Sequence, residues 1–143
     1  MPAVHRLIKL AAKPIPAVIS PKTHAILDNI SVGTFLAGAT WFWRRNKRAA
    51  IASLFCAGAR LAVTALTDYT GRVPVRRGIQ FHAHREIDLS IAAMTAAMPE
   101  FLGFKDEPER RFFQVHGALI VAANELTDYS EKRRRSREYS SAA

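Results

Sequence analysis

The chain matches itself at an offset of 60 residues without a gap. His24 falls on His84, Asp28 on Asp88, Ala37 on Ala97 and Ala62 on Ala122. Leu66-Thr67-Asp68-Tyr69 falls on Leu126-Thr127-Asp128-Tyr129. Self-similarity at a fixed period marks a duplicated supersecondary unit. Apolar stretches at 24–43, 49–67, 87–104 and 112–126 fall two to each unit. Each unit therefore reads as a helical hairpin that opens with His-x3-Asp and closes with Thr-Asp-Tyr. The expected organisation is a basic N-terminal segment at 1–22, hairpins at 23–70 and 83–130, a basic linker at 71–82 and a basic disordered tail at 131–143. The expected fold is all-α: a four-helix transmembrane bundle of two repeated hairpins related by a pseudo-twofold axis.

A bilayer span needs roughly 20 mostly apolar residues. The first two stretches meet that length, and the last two are marginal. Trp41, Phe42 and Trp43 are followed at once by Arg44, Arg45, Lys47 and Arg48, an aromatic belt and then a basic loop, as where a span meets water. Trp41, Trp43, Tyr69 and Tyr129 are the expected interface aromatics, with the tyrosine hydroxyls in water. Small residues four apart (Gly58 with Ala62, Ala92 with Ala96, Ala93 with Ala97) suit close packing of helices in lipid. The rival reading is a soluble four-helix bundle, because Glu100, Gln114, His116 and Glu125 are awkward against lipid. Mean hydropathy of −0.03 does not decide between them, since it averages strongly basic ends with apolar middle segments.

The 143 residues carry a net charge of +9. With four spans both termini share a side, and that side (Arg6, Lys9, Lys13, Lys22, Arg72, Arg76, Arg77 and the 132–137 run) holds more cations than the far loops (Arg44, Arg45, Lys47, Arg48, Lys105, Arg110, Arg111). Positive-inside counting places both termini in the cytoplasm. Residues 1–20 lack the clean apolar core of a cleavable signal, and 4–12 read either as a basic amphipathic helix on the membrane surface or as a polar lead-in. The basic termini suit anionic lipid. For the 132–137 run a positive-inside stop outweighs nucleic-acid binding. The single cysteine, Cys56, excludes an internal disulfide and a Cys-rich zinc pattern. There is no Gly-rich phosphate loop, nucleophile elbow or His-Glu-x-x-His, so no catalytic residue is assigned.

The motifs His24-Ala25-Ile26-Leu27-Asp28, Leu66 to Tyr69 and His84 to Asp88, with Met98-Pro99-Glu100-Phe101-Leu102-Gly103-Phe104 at the far end of the third stretch, resemble the SPW-repeat family of small bacterial membrane proteins over roughly 20–130. Glu100 stands where that family has tryptophan, and Thr40 to Trp43 lack its proline. The resemblance implies a four-helix protein of the bacterial inner membrane with no established activity.

Two antiparallel hairpins bring His24, Asp28, Asp68, His84, Asp88 and Asp128 to one end. His24 and Asp28, like His84 and Asp88, are four apart and share a helix face. Ionisable groups inside membrane segments mark either function or a paired structural network. The structural version has Asp68 and Asp128 capping neighbouring helix starts and bonding the histidines. In a metal version the cluster holds a single zinc, iron or manganese ion. A haem between His24 and His84 is disfavoured because Asp28 and Asp88 crowd it with charge. A proton or ion relay is the remaining version. Arg60, whose repeat equivalent is Ile120, is expected to form an ion pair with Glu125 or with Asp28. The functional expectation is a non-enzymatic scaffold or accessory subunit, with other membrane subunits or further copies of itself as partners. A metal-binding or ion-conducting membrane protein is the alternative.

Overall fold

The computed structural model describes residues 16–69 and 78–130. The expected surface helix at 4–12, the linker cations and the basic tail lie outside the described residues. The fold is all-α, and the described residues form four helices: α1 (Pro21–Phe42), α2 (Lys47–Leu66), α3 (Phe81–Phe101) and α4 (Arg110–Glu125).

Local chemistry sets the helix ends. Ser20 accepts the Thr23 N–H at 3.2 Å, and Pro21 opens α1 where its missing donor costs nothing. Asn46 caps α2 by accepting the Ala49 N–H at 3.1 Å. Pro99 lies inside α3, which runs two residues past it. The Pro99 carbonyl then accepts the Phe104 N–H at 2.9 Å, and that of Glu100 accepts the Gly103 N–H at 3.3 Å. This pair is a Schellman motif. It needs a left-handed residue, and Gly103 has φ +67°. A Cβ there would meet only Arg48 Nη1, at 3.5 Å, so the strain of Gly103→Ala is conformational. That substitution should cost about 1 kcal/mol, read as a lower unfolding midpoint.

α1 packs on α2 and α3 on α4; α2 meets α3 between the hairpins, and the α1–α4 seam is sparser. The main core is aromatic against small residues. Phe35, Phe42, Phe104 and Phe113 gather with Cys56 and Met98 over Ala49, Ala50, Ala52 and Ala57. α4 packs tightly on α3 at Gly117, where a Cβ would lie 3.0 Å from the Ala92 carbonyl and 3.2 Å from the Ala96 Cβ. Ala92 and Ala96 thus form a close-packing face, whereas Gly58 is exposed with nothing near it.

At the other end of α2 the chain turns extended. β1 (Thr67–Asp68) pairs in parallel with β2 (Ile79–Gln80), and Ile19 bridges Thr127. Each helix exit is therefore tied to the lead-in of the other hairpin. Replacing every residue by its counterpart 60 positions away converts one tie into the other.

The surface is apolar to an unusual degree. Trp41 is 69% exposed, Phe101 78% and Ile26 60%, and Leu36, Leu54, Phe55, Leu61 and Leu119 are exposed as well. Among the described residues one helix, α2, is long and apolar enough by length and composition to cross a membrane. α1, expected to qualify, does not. Lys22, His24, Asp28 and Asn29 lie in its first turns.

Candidate functional site

Asp28 is four residues after His24 and Asp88 four after His84, so each pair projects from one face near the start of α1 or α3. All four side chains are buried, the histidines completely. One ligand-type atom from each lies within 4.8 Å of the others. The two imidazole Nε2 atoms are 3.3 Å apart. His24 Nε2 lies 3.1 Å from Asp88 Oδ2, and His84 Nε2 lies 3.2 Å from Asp28 Oδ2. The same-helix contacts, His24 to Asp28 Oδ1 and His84 to Asp88 Oδ2, are both 3.5 Å. Each histidine thus reaches more closely across to the other hairpin than to its own aspartate.

Arg60, from α2, closes the group. Its Nη1 donates to Asp88 Oδ1 at 2.7 Å and its Nη2 to Asp28 Oδ1. One planar guanidinium therefore serves both carboxylates. The repeat breaks at Ile120: Arg60 already takes both Oδ1 atoms, and Ile120 packs with Ile91 and Ala92. Among the described residues the Arg60 Nε finds no hydrogen-bond partner. Arg60 also lines an apolar groove between α1 and α4, beside Ile30, Ser31, Leu119 and Ile120.

The threonines of the repeated Leu-Thr-Asp-Tyr hold the outer ring nitrogens. His24 Nδ1 is 2.6 Å from Thr127 Oγ1, and His84 Nδ1 is 2.8 Å from Thr67 Oγ1. Each hydroxyl already donates to the carbonyl four residues back, Thr127 to Ala123 at 2.6 Å and Thr67 to Val63 at 2.7 Å. A hydroxyl has one hydrogen, so each threonine oxygen accepts and each Nδ1 carries the proton.

Phe81, Tyr69 and Tyr129 cover the imidazoles. Phe81 stacks on Tyr129 with centroids 4.6 Å apart, and sits edge-on to His24 at 5.9 Å. Tyr69 lies 5.3 Å from His84.

Several expectations are corrected. The tyrosine hydroxyls do not point to water. Tyr69 donates to Asp28 Oδ2 at 2.5 Å, and Tyr129 donates to Asn124 Oδ1. Burial, and then the bonded Asp28 carboxylate, push the Tyr69 phenol well above its ordinary pKa; burial, then Asp88 and Asp28, do the same for Tyr129. Both therefore stay donors at physiological pH. Glu125 does not pair with Arg60. It lies on the α3–α4 seam, half-exposed, 3.2 Å from Arg85. Asp68 and Asp128 do not join the group. Asp68 is half-buried in β1, and Asp128 Oδ1 accepts from the Ser130 N–H and hydroxyl at 3.0 and 2.6 Å. Trp41 and Trp43 stand exposed at the far end of α1, away from the cluster.

The residues not singled out from sequence are Thr67, Thr127, Phe81 and Asn124. The threonines carried a signal, since both lie in the repeated motif. Tyr69→Phe removes a donor from a buried carboxylate oxygen. It should cost about 1–3 kcal/mol in an unfolding titration. His82→Ala, on the exposed face of the same end, should leave the midpoint within about 0.5 kcal/mol.

No family model, curated protein or solved structure matches this chain.

Proposed function

We propose that the chain is a small integral membrane protein of two pseudo-twofold-related hairpins, acting as a non-enzymatic scaffold or accessory subunit. The His–Asp–Arg cluster clamps the hairpins together. The observation that carries this reading is the inverted polarity of the bundle. Its most buried side chains at one end include two histidines, two aspartates and an arginine, while Leu, Ile, Phe and Trp side chains stand exposed on its surface. In water that surface is a large unmet liability; in lipid it is the favourable arrangement, and ionisable groups belong in the bundle interior. The paired exchange of contacts about Arg60 supports the twofold relation. The shared motifs keep the SPW-repeat resemblance part of the proposal, with both termini cytoplasmic.

The spans differ in strength. α4 has 16 residues and rises about 24 Å, short of a hydrocarbon core of about 30 Å. Local thinning and the snorkelling of Arg110 and Arg111 would meet the mismatch. Against ion conduction stands the packing beyond the cluster, where Phe35, Phe42, Phe104 and Phe113 fill the core. The test is extraction of cell membranes with alkaline carbonate. The protein should stay in the pellet and be released only by detergent; release by carbonate alone would overturn the reading.

A further inference from the structure

We propose that His24, His84, Asp28 and Asp88 bind one divalent metal ion of the zinc class, shared between the hairpins. The site goes beyond the scaffold reading and does not require the bilayer.

The threonines decide the matter. With both Nδ1 atoms protonated, a neutral His24 and a neutral His84 present their Nε2 lone pairs to each other at 3.3 Å and to carboxylate oxygens at 3.1 and 3.2 Å. Acceptors crowded on acceptors repel, so a cation belongs among them: protons on the rings or a metal ion. The spacing accommodates the metal. Zinc bonds of about 2.0–2.1 Å in a tetrahedron set ligand atoms about 3.3–3.4 Å apart. The nitrogen–nitrogen edge is 3.3 Å; with the two Oδ2 atoms as ligands, three nitrogen–oxygen edges measure 3.1, 3.2 and 3.5 Å, while His24 meets Asp28 at its Oδ1, at 3.5 Å. Two imidazoles and two carboxylates are a donor set that zinc accepts.

The outer partners are those of a ligand set. Metal-bound histidines donate their other N–H to a fixed acceptor, and bound carboxylates are themselves hydrogen-bonded. Here Thr127 and Thr67 hold the Nδ1 protons, Arg60 takes both Oδ1 atoms, and Tyr69 bonds Asp28. Asp88 Oδ2 faces both imidazoles, and Asp28 Oδ2, which also accepts from Tyr69, faces His84. With neutral rings, two aspartates against one arginine leave the group at −1, a charge that attracts a cation into a buried place.

The chain, made without a polyhistidine tag and purified in detergent, is titrated with zinc alone and with cobalt(II) alone. The expected result is one ion per chain and, for cobalt, the visible bands of a tetrahedral nitrogen–oxygen site. X-ray absorption of bound zinc should show nitrogen and oxygen ligands and no sulfur, which excludes Cys56. Thr67→Val should weaken zinc at least about tenfold with helicity unchanged, while His82→Ala leaves affinity unchanged. Should His24→Gln and His84→Gln fail to fold, the wild-type spectra and Thr67→Val still decide. A folded wild-type chain that takes up neither metal at micromolar concentration overturns the proposal, as does a His24→Gln/His84→Gln double variant that keeps the cobalt spectrum. Metal binding by a chain released with carbonate would uphold the site and sink the membrane reading; a detergent-extracted chain without metal affinity would do the reverse.

Discussion

Replacing Arg60 with leucine should cost about 3–5 kcal/mol or prevent folding outright. The guanidinium is 4% exposed and is bonded to two carboxylates that are each 1% exposed. Taking it away leaves Asp28 and Asp88 facing each other across a buried space with no arginine to balance either. The larger part of the loss is the desolvation of those orphaned charges, not the attraction of the pairs themselves. A compensated variant separates the two. Arg60→Leu combined with Asp28→Asn and Asp88→Asn removes charge on both sides and should recover at least half of the lost stability. Arg60→Lys should fall between, because an ammonium is a point donor and cannot serve both Oδ1 atoms in one plane. The measurement is a reversible unfolding titration in mixed micelles, followed by circular dichroism. An Arg60→Leu midpoint within about 1 kcal/mol of wild type would remove the cluster from the account of what joins the hairpins.

Phe113→Ala should cost about 3–5 kcal/mol by a wholly different route. The ring is fully buried on α4 and meets Phe104 at 5.3 Å, Phe112 at 5.3 Å, and Phe35 and Phe42 both at 6.5 Å between centroids. On the proposed membrane reading lipid replaces water as the reference, so hydrophobic transfer contributes a smaller share of this cost. The rest is lost dispersion around a cavity that four stiff rings cannot collapse into. The site lies at the opposite end of the helices, so metal affinity of the folded fraction should be unchanged. The same titration checks the stability, and cobalt absorbance checks the site. A loss below about 1 kcal/mol would mean that the aromatic cluster repacks freely.

The sequence carried the placement of the two His–Asp pairs, because a helical spacing of four and an offset of 60 between copies leave little freedom. It did not carry the role of Arg60. An unrepeated arginine gives no hint that it sits where one side chain reaches both copies, and Glu125 looked an equally good partner until Arg85 was seen beside it. Thr67 and Thr127 were in plain view, yet their role depends on where α2 and α4 end. Only when the chain turns extended at those residues do the hydroxyls lie against the rings of the other hairpin. The same turn explains Asp68 and Asp128. One residue further along, their side chains leave the group that the threonines join. The tyrosine hydroxyls were read from a rule about interfaces, and a buried carboxylate that needs a donor outweighed it for Tyr69. For α1, the apolar run from Ile30 to Trp43 drew attention away from Lys22, His24, Asp28 and Asn29 below it. Those first turns belong to the polar end of the bundle, and this is why the helix is long enough but not apolar enough throughout.

The central claim is that an apolar exterior faces lipid while charge is held inside. Spin labels at Leu36, Leu54, Ala93 and Leu119, one on each helix and all exposed, test it most directly in reconstituted vesicles. Cys56 is fully buried, and a Cys56→Ser background removes it from the labelling. The account predicts that dissolved oxygen relaxes all four labels more strongly than a water-soluble nickel chelate does, including the label on the short α4. Chelate access equal to that of a label in water, at Ala93 and Leu119 or at all four sites, would contradict it.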